Sequence, residues 1–303
     1  MAPTTTDPNR IRIGYSPDPD DAFMWWPLLA VDDAPPAVDT APFRFVAVTQ
    51  DIETLNERSV RGDLEITAMS CAQYPHVASR YAITACGASM GDAYGPKLVA
   101  RTPISADALA AGTPTIAIPG QRTSAFAALR LRLGPTRARF VALAFDRVME
   151  AVVGGEVDAG VIIHEGQLTF RDAGLHLVED LGAWWTARSG GPLPLGINTI
   201  RRDLDDRHGP GTIERLTAML RRSVEHALAH REEGLRHALV HARGLSRDLA
   251  DEFVGLYVNA WTLDFGPRGR AAVEAFLNAA ADAGILPDPG PLSFIEPAAA
   301  GGG

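Results

Sequence analysis

Short apolar runs alternate with amphipathic stretches along most of the chain. IRIGYS at 11–16 reads as a first strand. Pro17-Asp18-Pro19-Asp20-Asp21 breaks it, and two prolines flanking an aspartate fix a rigid loop at the strand's carboxyl end. A helix is predicted over 22–30, after acidic caps. RFVAVTQ at 44–50 alternates apolar and polar positions as a second strand. Asp51 caps the next helix, IETLNERSVRG, and Gly62 ends it. LEITAMS at 64–70 is a third strand. This β-α-β-α-β order implies a parallel sheet.

Residues 81–100 read as a strand-rich crossing interrupted by Gly87, Gly91 and Gly95, with PKLVARTP leaving the first lobe. TPTIAIPG at 113–120 opens a new unit, whose helix starts at Thr123 or Ser124 and ends at Gly134. The strand FVALAF, the helix DRVMEAVVGG and the strand DAGVIIH follow, so this segment forms its own small sheet. PLGINTIRRDL at 194–204 returns as a strand. From Thr212 onward the spacing is helical, with apolar residues at i, i+3 and i+4, and AAVEAFLNAAADAG adds a closing helix. The pattern predicts an α/β protein of two lobes, residues 1–101 plus 199–303 and residues 102–198. Two crossovers join the lobes and a central cleft separates them. That is the topology of the periplasmic-binding-protein-like type 2 fold.

Composition narrows the function. The chain of 303 residues has a net charge of −9 and no basic stripe with interleaved aromatics, which argues against nucleic-acid binding. No run of eighteen apolar residues occurs, so no membrane span is expected, and the N-terminal MAPTTTDPNR lacks the apolar core of an export signal. A cytoplasmic protein is the expectation. Two cysteines, Cys71 and Cys86, provide neither a disulfide framework nor a four-ligand zinc site and fit a reducing compartment.

Several residues carry candidate chemistry. His164 follows the apolar run Val161-Ile162-Ile163, at the strand end where open α/β sheets bind ligands. An imidazole there is either a proton acceptor or a hydrogen-bonded structural residue. Ser16 and the helix start after it offer donors to a ligand, or simply cap that helix. Thr123 and Ser124 place paired hydroxyls at a helix N-terminus, a seat for a carboxylate or hydroxyl, or an ordinary cap. Ser70 ends the third strand and faces the cleft. Asn198 either reaches in from the returning crossover or ties the crossovers together. His226 with His230 and His237 with His241 share helix faces, but no His-Glu-x-x-His pattern accompanies them. They read as decoration of a solvated helix, and no metal site or cofactor is expected. Trp25-Trp26 and Trp184-Trp185 read as core packing. A nucleophile elbow and a dinucleotide fingerprint are both absent.

The segments SPDPDDAF, QDIETLNERSVRGDLEITAMS, YGPKLVAR, RTSAFAALRLRLG, GEVDAGVIIHEGQLTF and PLPLGINTIRRDL occur in one order over residues 11–204. Together they resemble a family of menaquinone-pathway enzymes built on the solute-binding fold, nearest its naphthoate-synthase branch. The resemblance covers about two thirds of the chain, and Ile162-Ile163-His164-Glu165-Gly166 is its most specific part. It implies a carbon–carbon lyase that splits cyclic dehypoxanthinyl futalosine, with His164 as general base. It also implies substrate contacts at Ala68, Met69, Ser70, Thr123 and Ser124, no cofactor, and an aromatic small-molecule substrate; a homodimer is a separate expectation that the sequence itself does not fix. In that family the first loop commonly reads Ser-Pro-Cys-Pro-Asn-Asp-Thr-Phe, where this chain has Asp18, Asp20 and Ala22. A lysine commonly stands at Ala68, and a second threonine at Ser124. Two alternatives share the fold: a solute-binding protein without catalysis, and an enzyme that dehydrates chorismate.

Overall fold

The computed structural model describes residues 7–31, 34–241 and 246–298. Most of the glycine-rich tail, the first six residues of the N-terminal stretch and the side chain of His241 lie outside the described residues. The chain opens with β1 (Arg10–Tyr15), α1 (Pro19–Trp25), β2 (Arg44–Thr49), α2 (Ile52–Arg61), β3 (Ile66–Ser70), β4 (Tyr81–Thr84) and β5 (Ser89–Gly91). It continues with β6 (Lys97–Ala100), α3 (Ala106–Ala111), β7 (Thr115–Ile118), α4 (Ser124–Leu133), β8 (Arg139–Ala142), α5 (Arg147–Val153), β9 (Ala159–Ile162), α6 (Gly166–Thr169), β10 (His176–Asp180) and α7 (Leu181–Ser189). It returns through β11 (Leu193–Arg201), α8 (Leu204–His208), α9 (Thr212–Ala229), α10 (Arg231–His241), α11 (Arg247–Tyr257), α12 (Ala260–Leu263), α13 (Gly266–Asp282) and β12 (Phe294–Ile295).

Two sheets result. One runs β12-β4-β11-β3-β1-β2 with β5 added beside β11; the other runs β10-β6-β9-β7-β8. β1 pairs parallel with β2 and β3, as the alternation of strand and helix requires, whereas β11 enters antiparallel beside β3 and β4. Ile11, Ile13, Leu55 and Ile66 are fully buried in the first lobe, each worth about 1.5–3 kcal/mol of transfer free energy. A second apolar cluster runs from Ile116 and Leu129 to Phe276 and Leu277, so packing continues from α4 to α13.

Strand pairing moves the lobe boundaries expected at 101/102 and 198/199. β6 hydrogen-bonds to β9 and β10, so the outward crossover falls between Gly91 and Lys97. β11 pairs with β3, β4 and β5 from Leu193 on, so the return is complete by that residue. A strand belongs to the sheet that satisfies its backbone groups, and an apolar run alone does not show which sheet that is. The outward crossover is tightly packed. A Cβ on Gly91 or Gly182 would stand 1.9 or 1.8 Å from the Tyr94 carbonyl oxygen, so both positions need glycine for close backbone approach.

The first helix also starts earlier than its expected span of 22–30. Proline is well tolerated in the first turn, and Pro19 begins α1 with Asp18 as its N-cap residue. The shift places Asp20 and Asp21 in the helix itself. The long C-terminal helical pattern divides at His230, which leaves the helical region between α9 and α10.

Candidate active site in the inter-lobe cleft

The carboxyl ends of β1 and β3, the first half of β11 and the start of α4 meet around one cleft between the sheets. It holds about 720 Å³ of atom-free space, its mouth included. Successive side chains on a strand point to opposite faces. Ala68 and Ser70 therefore line the cleft, while Met69 is fully buried on the other face. Of the three contacts expected at the end of this strand, the Met69 side chain is the one turned away from the cleft. β11 pairs Asn198 with Ala68 and Gly196 with Ser70, which brings both β11 residues to the same wall.

The candidate hydroxyls are engaged with the protein. Ser16 Oγ donates to Asp18 Oδ2 at 2.8 Å. Thr123 Oγ1 donates to the Gly120 carbonyl and accepts from Phe126 N–H, closing the cap of α4. Ser124 Oγ donates to the Leu195 carbonyl and accepts from Ala72 N–H, so it ties α4 to the first lobe. The seat at this helix is consequently made by the first-turn N–H groups of Ser124 and Ala125, which have no acceptor within the helix. Ser70 Oγ accepts from Asn56 Nδ2, and Ser70 N–H donates to Asn56 Oδ1, leaving the Ser70 hydroxyl proton to face the cleft.

Acidic groups dominate the wall from α1. Asp18, Asp20 and Asp21 all line the cleft, and no Lys, Arg or His does so among the described residues. Burial, reinforced by Asp21 and Asp18, pushes the Asp20 carboxyl well above its ordinary range. Burial also raises Asp21 to about 7, although Ser16 N–H donates to its carboxylate at 2.7 Å.

His164 sits beside the cleft. Its ring is buried, meets Phe145 edge-on at 5.5 Å, and accepts the Gly166 N–H on Nδ1 at 2.9 Å. Ile163, not His164, stands in the cleft wall, because β9 ends at Ile162 and the Gly166 bond folds the imidazole back over the start of α6. In the neutral ring this bond places the proton on Nε2. The motif's glycine has a steric cause: a Cβ on Gly166 would lie 2.6 Å from His164 Cε1. Gly166→Ala is therefore expected to turn the ring and lower kcat at least about tenfold, with a smaller change in KM. Steady-state kinetics with unchanged kcat would separate this glycine from the function of the ring.

Three further residues complete the site. Glu53 on α2 reaches the second lobe and accepts the Arg122 N–H. Tyr257 on α11 lines the cleft and donates to Gln167 Oε1 on α6 at 3.0 Å. Asn56 is wholly buried and orients Ser70. Asn56 and Ser59 on the buried face of α2 were the one visible sign, since polar residues at buried helix positions need partners. Nothing in the spacing of α11 marks Tyr257.

The remaining candidates serve packing. Trp25 and Trp185 are core residues. Trp26 stacks on His237 at 4.7 Å and meets His226 edge-on, and His226 stacks on His230, so these histidines clothe a tryptophan instead of decorating a fully solvated helix. Both cysteines are buried thiols whose pKa values burial raises. Among the described residues, no group of three or more His, Cys, Asp or Glu is placed to hold a metal ion, and no helix is long and apolar enough to cross a membrane.

Comparison with known proteins agrees with this arrangement. The chain is 39% identical over 287 residues to 1,4-dihydroxy-6-naphthoate synthase of Thermus thermophilus, covering 93% of this chain and 98% of the relative. A crystal structure from Archaeoglobus fulgidus superimposes with a TM-score of 0.81 at 36% identity, over 93% of this chain and all of the other. The alkanesulfonate-binding protein of Xanthomonas axonopodis pv. citri, at 14% identity and a TM-score of 0.66, shares the fold over 94% of this chain and 96% of its own. The fold is thus periplasmic-binding-protein-like, with one sheet in each lobe. The family model for menaquinone biosynthesis matches residues 11–282, and the chain belongs to that family.

Proposed function

We propose that the chain is a cytoplasmic carbon–carbon lyase, a 1,4-dihydroxy-6-naphthoate synthase that splits cyclic dehypoxanthinyl futalosine. The observation that carries this reading is the near full-length identity to the Thermus thermophilus synthase. The geometry supports it. The α4 N-terminus offers N–H donors for an aromatic carboxylate, apolar Ile52 and Ile163 flank the space for a ring, and hydrogen bonds between the lobes hold the two walls together.

In this reading a base removes a proton, a bond next to a carbonyl breaks, and aromatisation drives release of the naphthoate and a three-carbon fragment. His164 is the proton acceptor. An imidazolium carries N–H on both nitrogens, so proton uptake requires the Gly166 N–H to leave Nδ1. The 163–166 segment therefore shifts during the step and brings the ring to the wall that Ile163 now occupies.

Incubating the purified protein with cyclic dehypoxanthinyl futalosine tests the assignment, with the naphthoate followed by absorbance and mass. Product formation at enzymatic rates is expected. Ligand-induced thermal stabilisation without product would reduce the chain to a binding protein. Neither signal would mean a different ligand altogether.

A further inference from the structure

The cleft draws different chemistry from its two lobes. The second lobe contributes donors, the N–H groups at the start of α4. The first adds acceptors beside the Ser70 hydroxyl. Asn198 is 1% exposed and faces the cleft, and its Nδ2 donates to the Gly87 carbonyl at 2.8 Å. That bond fixes the amide so that Oδ1 is left without a partner among the described residues. Gly87 is held to this contact, because a Cβ there would stand 2.7 Å from Asn198 Nδ2 in a backbone conformation with φ +84°. A buried amide oxygen without a donor costs about 1–3 kcal/mol, so a ligand hydroxyl donating to this one would recover that cost. Asp20 lines the same space; its carboxyl takes a long hydrogen bond from Ser89 Oγ at 3.4 Å, and the backbone N–H groups of Asp20 and Asp21 also act on it.

We propose that Asp20 and Asn198 Oδ1 form an acceptor pole that recognises hydroxyl groups on the non-aromatic part of the substrate, while the α4 N-terminus takes its carboxylate. The proposal rests on the naphthoate-synthase reading and adds a specificity determinant to it. It also explains how an acid-lined cleft admits an anion. Burial and the neighbouring Asp21 and Asp18 favour the protonated, neutral form of Asp20, and a neutral carboxyl still accepts a hydrogen bond through its carbonyl oxygen without repelling the aromatic carboxylate.

The test compares a ligand that has the hydroxyl-bearing part with one that lacks it. For cyclic dehypoxanthinyl futalosine, Asp20→Ala is expected to raise KM about tenfold, the effect of one lost buried hydrogen bond. The Kd of the product 1,4-dihydroxy-6-naphthoate, measured by calorimetry, should stay within about twofold, since that molecule has shed the aliphatic part. Asp20→Asn keeps an acceptor oxygen at the same place and should recover most of the lost affinity. An unchanged KM in Asp20→Ala, equal weakening of substrate and product, or an Asn variant as weak as the Ala variant would each overturn the acceptor pole while leaving the enzymatic assignment intact. Wild-type protein that neither converts the substrate nor binds the naphthoate overturns the underlying assignment, and the pole with it.

Discussion

His164→Ala is expected to lower turnover by about 10²–10⁴-fold, the usual contribution of a positioned proton-transfer group. The thermal midpoint should move only modestly, because the substitution gives up one hydrogen bond from a backbone N–H, the edge contact with Phe145 and a 3.7 Å approach to the Glu165 carboxylate. Affinity for the naphthoate should also persist, since the α4 donors and the isoleucine walls do not include this residue. His164→Gln makes the experiment sharper. In the resting tautomer the ring offers Nε2–H, a donor that a glutamine amide can reproduce, whereas an amide cannot accept a proton near neutral pH. Equal inactivity of the Ala and Gln variants identifies a base. Substantial recovery by Gln would show that the ring serves as a donor only, and a carboxyl of the first loop would then be the next candidate for proton transfer. Near wild-type turnover in both variants would remove the residue from the chemistry.

Most of this architecture was legible because the signals are local. The run Val161-Ile162-Ile163 marked a buried strand, Asp51 and Gly62 bracketed α2, and Thr123 capped α4. What the pattern could not report was partnership. Lys97–Ala100 is a strand by its own residues but joins the second sheet through bonds to β9 and β10, whose paired residues lie 59 or more positions further along the chain. Period-two alternation, applied strictly to LEITAMS, turns the Met69 side chain away from the face that Ala68 and Ser70 share, so two of the three adjacent residues that the resemblance groups bring side chains to the cleft. The sequence pattern offers Ser124 as a ligand donor, yet its hydroxyl proton goes to the Leu195 carbonyl, a bond visible only once β11 is laid beside α4. Tyr257 was missed for the same reason, since it enters the cleft from α11 in the region where the chain shows only helical character.

Arg12→Met is expected to cost about 3 kcal/mol of stability near neutral pH, the penalty for leaving a buried carboxylate without its main partner. Glu65 is 2% exposed, and Arg12 meets it through Nε at 2.8 Å and Nη2 at 2.9 Å, with Arg207 Nη1 more distant at 3.3 Å. The pair clamps β1 to the start of β3, and the opposite ends of these strands carry Ser16 and Ser70 to the cleft. Burial pushes the Glu65 carboxyl up, but the Arg12 bonds outweigh it and hold the group down at about 2, against an ordinary value of 4.5. A carboxyl depressed in the folded state contributes stability that is complete above its unfolded value and fades as pH falls from 4.5 toward 2. The deficit of Arg12→Met in urea denaturation should therefore be largest near pH 7 and shrink across that acid window, because in the variant burial favours the protonated form of Glu65 against only the residue-12 backbone N–H and the more distant Arg207. Adding Glu65→Leu to Arg12→Met should restore part of the loss by removing the stranded charge. A deficit that is the same at pH 7 and pH 3 would assign the effect to lost packing of the arginine stem and not to the ion pair.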